Sequence, residues 1–529
     1  MALHDQAPPI TLDRARSIAR IHGQDPQELE PQFGFVLAHI HNALPAPPVA
    51  AAAAARLSAQ LDPGDGIDRV SGLPDALLRD IVSRLPVKDA ARTAALSRRW
   101  RPLWRAAPLV LLDNHLLPDG AAPDDEIPNI YLEHADSRAV ATALSCVLDA
   151  HPGPFRWVRL ASCYMDEERG QVARWLQHLA VKGVQELFLI NRPWPLAVDL
   201  PVPTAFFSMA ALTRLYLGFW KFPDTAGLPR GAAFPHLREL GLCDVVIDNH
   251  DMDLVLARSP VLEILCFESH MLPPLRLRLV SRSLRCVQMH ASNVESIVVV
   301  DAPRLERLFV RFVPIEVPWC RIKIVCAPAL RLLGRLDPAM HELQVGNTTI
   351  KAGTVVNPRT MVPPTVKILD VNVRFEVRSD VKMLPSFLRC FPNIEKLHIH
   401  SQKTHESTGR LSIKFWQESG PIECIHTHIN MIVLNDFRGE RSELAFLKFF
   451  IESAQMLNRL LIVFGKGCFS SMATSKLKAL FAGKRANKHC SLLVCESAFS
   501  ESSCLWDFQR GSDFSCTDPF APVEHLSPE

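Results

Sequence analysis

The chain has 529 residues, too many for one ordinary hydrophobic core, so several domains or a repeat array are expected. Its 48% hydrophobic and 22% charged residues are the balance of a soluble globular protein, and 58 Lys+Arg against 56 Asp+Glu leave a net charge of +2. So even a balance offers no clustered cations for counterion release, and no nucleic-acid partner is expected.

No stretch approaches the ~18 apolar residues that a membrane span requires, the most tempting run being Val49 to Ala55. The opening MALHDQAPPI lacks the basic and apolar regions of a secretory signal. The 14 cysteines are dispersed and none forms a CxxC pair, which removes the zinc-ribbon, RING and thioredoxin readings. Scattered thiols fit a reducing compartment, so a cytoplasmic or nuclear location, or both, is expected, with no membrane association.

Residues 1–64 are a low-complexity segment ending in the linker-like PAPPVAAAAAARL, and TLDRARSIARIHGQ within it has the makings of one short helix. Residues 65–108 carry dense helical signals. In SGLPDALLRDIVSRLP, Pro74 suits a first helical position and Asp75 the positive end of the dipole. Leu77, Leu78, Ile81 and Leu85 recur at three- and four-residue spacing as one apolar stripe. A second helix is expected in VKDAARTAAL, and Ser97 is placed to cap a third in SRRWRPLWRAA. Three helices in ~40 residues bury too little surface to be very stable alone, so apolar side chains should remain for a partner. Residues 109–139 read as a linker.

From 140 to 410 the period changes to L-x-x-L-x-L, as in LTRLYL, LRELGL, LEILCF, LRCVQM, VESIVV, LERLFV, VKILDV and IEKLHI. Leu215, Leu240 and Leu265 are 25 apart, as are Leu308 and Leu333, which is a leucine-rich-repeat period. Each copy predicts a short strand with its leucines inward, those of neighbouring copies stacked in one column. The copies are irregular: Leu333 to Leu369 spans 36, and SIVVVDAPRLERLFV packs two strand-like runs into half a spacing. In residues 411–500, IHTHINMIVLNDF reads as a strand, SELAFLKFFIESAQML as a helix striped by Leu444, Leu447, Phe450 and Ile451, and LNRLLIVF as a strand. One further repeat-like unit then closes the array, and 501–529 is a tail. The fold class expected is an α/β repeat: a three-helix unit, an irregular leucine-rich solenoid and a terminal cap.

LPDALLRDIVSRLPVKDAARTAALSRRWRPLW resembles the plant F-box motif nearly end to end. The repeats after it are similar to the horseshoe arms of plant F-box/LRR proteins. The region 411–500 resembles their FBD domain at Trp416, Pro421, Cys424, His428, Phe437, Gly439, Glu443, Leu444 and Phe446, departing at Ile429 and Asn430 where a basic residue is frequent. The resemblance implies a Skp-type adaptor as partner and, through it, a cullin scaffold of a ubiquitin ligase. Adaptor contacts are implied for Leu73, Pro74, Leu77, Leu78, Ile81, Leu85, Pro86, Val87, Leu96, Trp100 and Trp104, with Trp100 equally a candidate for the internal core. An unidentified target protein is expected on the outward positions of the repeats, among them Arg214, Tyr216, Arg238, Glu239 and Glu263.

No catalytic constellation is found, and no cofactor is expected. Cys424, His426 and His428 would share one face of a strand, but no fourth ligand accompanies them, so a metal site is rejected. His398 and His400 also share a face, which a surface strand explains. Arg98, Arg99, Arg101 and Arg105 read as a solvated helix face, Asp124–Glu126 as loop charge, and GKG at 465–467 lacks the rest of a phosphate loop. A substrate receptor is the leading reading. An interaction scaffold, a small-molecule sensor and, last, an enzyme are the alternatives.

Overall fold

The computed structural model describes residues 37, 40–41, 43–48, 68–117, 132, 134–193, 198–225, 234–269, 274–290, 292–311, 319–346, 348–351, 365–404, 407–409, 412–497 and 508–521. The helix expected in TLDRARSIARIHGQ, the alanine/proline tract after Ala50 and the acidic Asp124–Glu126 lie outside these residues. The chain divides into two compact units, 1–247 with 258–261, and 248–257 with 262–529.

The first unit contains the three expected helices, α1 (Asp75–Ser83), α2 (Val87–Thr93) and α3 (Trp100–Ala106). Pro74 and Pro86 precede α1 and α2 in extended conformation, which fits a residue with fixed φ and no N–H to lose. Ser97 Oγ accepts from the Arg99 N–H at 3.3 Å before α3. Leu78, Val82, Val87, Ala90, Trp100 and Leu103 are buried between the helices. Within the expected linker, Leu109–Leu112 is β1, fully buried. An unbroken LVLL run satisfies its backbone by pairing with the next strand, and its side chains lie under α1 and α2.

After β1 come α4 (His134–Ala150), β2 (Phe155–Leu160), α5 (Arg169–Val181), β3 (Glu186–Ile190), β4 (Arg214–Gly218) and β5 (Glu239–Cys243). All five strands are parallel and in sequence order. Leu187, Leu215 and Leu240 occupy equivalent register positions and are all buried, which is the stacked column that the 25-residue spacing predicts for Leu215 and Leu240.

The second unit starts at α6 (Asn249–Ala257) and contains β6 (Ile264–Glu268), β7 (Leu275–Val280), β8 (Cys286–His290), β9 (Val294–Asp301), β10 (Arg307–Arg311), β11 (Cys320–Ile324), β12 (Leu332–Leu336), β13 (His341–Val345), β14 (Thr348–Ile350) and β15 (Ile368–Val373). It continues with α7 (Arg378–Cys390), β16 (Lys396–Ser401), α8 (Ile413–Glu418), α9 (Glu423–Thr427), β17 (Met431–Phe437), α10 (Arg441–Ser453), β18 (Arg459–Phe464), α11 (Ser471–Ala482), β19 (Ser491–Glu496) and α12 (Phe508–Ser512).

Two sheets explain the irregular spacing. The main parallel sheet here runs β6, β8, β10, β12, β15, β16, β17, β18, β19, and the intervening strands form a second sheet β7, β9, β11, β13, β14. SIVVVDAPRLERLFV is therefore β9 in one sheet followed by β10 in the other. The 36-residue step from Leu333 to Leu369 contains β13 and the antiparallel β14. The leucine column of this unit runs Leu265, Val287, Leu308, Leu333, Leu369, Leu397, Ile432 and Leu460 in register, all buried.

Residues 411–500 add three parallel strands, β17 to β19, where one closing unit was expected. IHTHINMIVLNDF starts in the short helix α9, which ends at Thr427, so Cys424, His426 and His428 share no strand face. Helix α10 begins with a reciprocal capping box between Glu440 and Glu443, which satisfies two of its orphan amides. It buries Phe446, Leu447, Phe450 and Ile451, while Leu444 is half-buried. Trp416, fully buried, stacks on Phe449 and meets Phe446 edge-on. Residues 508–521, in the expected tail, pack back onto the sheet, as described next.

Candidate functional site

Helix α1 divides its apolar residues between two directions. Leu78 is 0% exposed and Val82 is buried with it, whereas Leu77 is 51% and Ile81 38% exposed. Leu96, after α2, is 66% exposed, and Val70, ahead of α1, is 51% exposed. Pro74 is also exposed, while Leu73, Leu85, Pro86 and Trp104 are half-buried. Two expected contacts are corrected, since Leu78 and Val87 are core residues of the three helices, and Trp100 takes the internal place that was its alternative. Their stripe meets α3 and β1, and only the stripe's other edge is left open. Trp104 packs edge-on against His151, with centroids 5.2 Å apart.

The loop at this surface is bonded by a residue that the arginine cluster marked as part of a solvated helix face. Arg99, at the N-cap of α3, reaches back to Asp75 at 2.6 Å and donates to the Leu73 carbonyl at 2.8 Å and to that of Ser71. It ties the loop before α1 to the third helix. Only the wide sequence separation between Arg99 and Asp75 hid this pair.

The expected outward positions of the repeats differ in exposure. Tyr216 and Glu239 are covered, and Tyr216 Oη donates to Glu239 Oε1 at 2.6 Å. Arg214 sits between Glu186 and Glu239, 2.8 Å from each. The two carboxylates outweigh the cost of burying the guanidinium and raise its pKa. Trp157, Phe188 and Tyr216 stack along this second face, at 4.8 and 5.3 Å. His41, from the N-terminal segment, lies against Arg159 of β2, and burial together with Arg159 and Arg192 holds its pKa well below the ordinary value. Tyr216 and Glu239 are thus corrected from target contacts to buried elements of the sheet, because a parallel sheet is covered on both faces. Arg238 is exposed, and Glu263, half-buried, lies 3.9 Å from Arg285.

In the second unit one face of the sheet carries residues 508–521. Gln288 donates to the Phe508 carbonyl at 2.9 Å, and Arg307 donates to the carbonyls of Gly511, Asp513 and Cys516 at 2.8, 3.0 and 2.5 Å. The Arg285 guanidinium lies 3.7 Å from the centroid of Phe514. Cys286, Phe309, Leu332 and Ile368, all on this face, form an apolar cluster with Ile264, Phe514 and Phe520. Asp518 is 3.0 Å from Lys396 and 3.2 Å from His398. Burial alone would raise the Asp518 carboxyl, but the His398 hydrogen bond and the His398 and Lys396 charges hold it at about 2. His398 is therefore a buried partner of the tail, not a surface-strand residue. His400 bonds Asp370 at 3.3 Å beside Arg335. The one signal for this segment was Phe508, Phe514 and Phe520 at six-residue intervals, too sparse to define a helix or a strand.

Three family models match in the same order. The F-box domain model covers residues 70–111, the model for LRR repeats of the FBD-associated F-box protein At5g56370 covers 172–399, and the FBD model covers 417–462. Among curated relatives, F-box/LRR-repeat protein 13 of Arabidopsis thaliana is 24% identical over 75% of this chain and 89% of its own length. MEIOTIC F-BOX protein MOF of Oryza sativa subsp. japonica is 26% identical over 64% of this chain and 72% of its own. FBD-associated F-box protein At4g13985 of Arabidopsis thaliana is 26% identical over 46% of this chain, which spans about half of that relative at 52%. With an F-box, leucine-rich repeats and an FBD following one another in a mixed α/β architecture, the chain is a plant-type F-box/LRR/FBD protein.

Proposed function

We propose that the chain is the substrate-recognition subunit of a Skp-cullin-F-box ubiquitin ligase. The observation that carries this reading is the exposed apolar surface of Leu77, Ile81 and Leu96 on a helical unit matched by the F-box model. Covering such side chains is worth about 1.5–3 kcal/mol each, so a partner with an apolar groove gains much by docking there. The Arg99 tie keeps the loop before α1 fixed before docking, which lowers the ordering cost. In this reading the F-box holds a Skp-type adaptor and, through it, a cullin scaffold, while the repeats and FBD hold a target protein. The chain contributes binding surfaces and no catalytic group, and works in the cytoplasm, the nucleus or both.

The test is adaptor pull-down with Leu77→Asp combined with Ile81→Asp, which puts charge into the desolvated contact. Adaptor capture should be lost while the thermal unfolding transition stays within a few degrees of wild type. Capture at the wild-type level by the folded double variant overturns the assignment.

A further inference from the structure

The residues that hold the tail divide into two kinds. Arg307, buried on β10, donates to three main-chain carbonyls of residues 511–516, and Gln288 on β8 donates to a fourth at Phe508. Main-chain carbonyls are present in every peptide, so these donors hold a backbone whatever its sequence. Selectivity comes from two further places. Lys396 and His398 on β16 take the Asp518 carboxylate. Two residues on, the Phe520 ring lies 5.4 Å from Phe309 and 5.5 Å from His398, at a small cavity also lined by Met289, His290, Arg311 and Arg335. Gly511 makes the approach possible, because a Cβ there would come within 1.9 Å of Gln288 Oε1. Donors for a generic backbone, a cationic seat for a carboxylate and a cleft for an aromatic ring are together the makings of a peptide-binding strip, and the chain's own end is seated in it.

We propose that residues 508–521 are a built-in pseudo-ligand, and that the target docks on the same strip of β8, β10 and β16 through a peptide segment carrying a carboxylate and, two residues later, an aromatic ring. This deepens the substrate-receptor reading and rests on it. Phe514 and Phe520 are only half-buried and Thr517 is exposed, so an incoming segment has parts of the strap to grip as it displaces it. Until then the strap covers the apolar cluster of Cys286, Phe309, Leu332 and Ile368.

The experiment uses the full chain and a fluorescent peptide of its own sequence FQRGSDFSCTDPFA, residues 508–521. Asp518→Lys with Phe520→Ala in the chain removes both selective contacts and frees the strip. The peptide should bind this variant saturably and at least ten-fold more tightly than wild type, where the tethered strap competes. A peptide carrying the same two changes should not bind. Arg307→Ala added to the freed chain should remove binding of the native peptide. Hydrogen exchange should rise in 508–521 of the freed chain while β8, β10 and β16 keep their protection. Equal binding to wild type and freed chain, or no binding to either, overturns the proposal. So does exchange that rises throughout the unit, because the segment is then an inseparable part of the fold. Adaptor pull-down of the same variants reports on the receptor reading separately: peptide results that fail with adaptor capture intact sink this inference alone.

Discussion

Tyr216 lies in register with Gly241 of the neighbouring strand, and a Cβ at 241 would come within 2.1 Å of the tyrosine Cδ1. The glycine makes room for a ring that stacks on Phe188 and places its hydroxyl on Glu239. Gly241→Ala should therefore cost about 1–3 kcal/mol by forcing the ring out of place. Tyr216→Phe keeps the stack but removes the donor to a buried carboxylate, again a loss of about 1–3 kcal/mol. Urea denaturation of both variants checks these figures, and wild-type stability in either would contradict the packing described.

Leu78 and Leu77 are adjacent in sequence and should behave oppositely. Leu78→Ala opens a cavity in the three-helix core and should cost about 2–5 kcal/mol. Leu77→Ala should change stability by less than about 0.5 kcal/mol and weaken adaptor capture instead. Thermal unfolding and pull-down on the same two proteins separate the effects.

The contact of the tail is acid-sensitive in a defined window. Asp518 has its carboxyl depressed to about 2 from an ordinary 3.8 by Lys396 and His398, against the opposing effect of burial. A depressed carboxyl contributes stability that is fully present above the ordinary value and is lost as pH falls through the folded one. The contribution, about 2 kcal/mol, should thus vanish between about pH 4 and pH 2. Exchange rates of residues 508–521 followed across that range should rise in the wild type. In Asp518→Asn the same range should bring a smaller change.

Burial makes the thiols unequal. The Cys424 thiol, donating to the Leu388 carbonyl at 3.4 Å, is pushed up to about 12 by burial, and so is that of Cys320. Cys146 and Cys326 are exposed. Brief alkylation of the native protein near pH 8, read by mass spectrometry, should label Cys146 and Cys326 and spare Cys424 and Cys320 until denaturant is added.

The leucines were readable because their spacing serves one need, an inward column at every strand. Leu215, Leu240, Leu308 and Leu333 lie where the 25-residue period places them. The positions between them misled, because strict alternation describes a sheet with one wet face, and this sheet is covered on both. Polar residues such as Tyr216 and Glu239 satisfy one another across strands, and nothing local distinguishes such a pair from surface residues. In α1, Leu78 and Ile81 fall on one stripe by period, yet which edge of the stripe meets α3 depends on tertiary packing. The tail was illegible for a further reason: its three phenylalanines are too sparse to define a regular element, and their partners lie some 200 residues earlier.

The paired sheets of the second unit bear on how such chains change in length. Ile264, Cys286, Arg307 and Leu332 hold equivalent places in the first sheet, at intervals of 22, 21 and 25 residues. Ser296 and Arg321 hold equivalent places in the second, also 25 apart. Each coil therefore closes on itself with one strand in each layer, and its ends leave where the next begins. A whole coil can be deleted or duplicated in genetic steps of just over 20 codons, with every remaining strand finding a neighbour of matching register. An arm of this kind gains or loses reach without redesign of its core, and residues added at its far end travel with it intact.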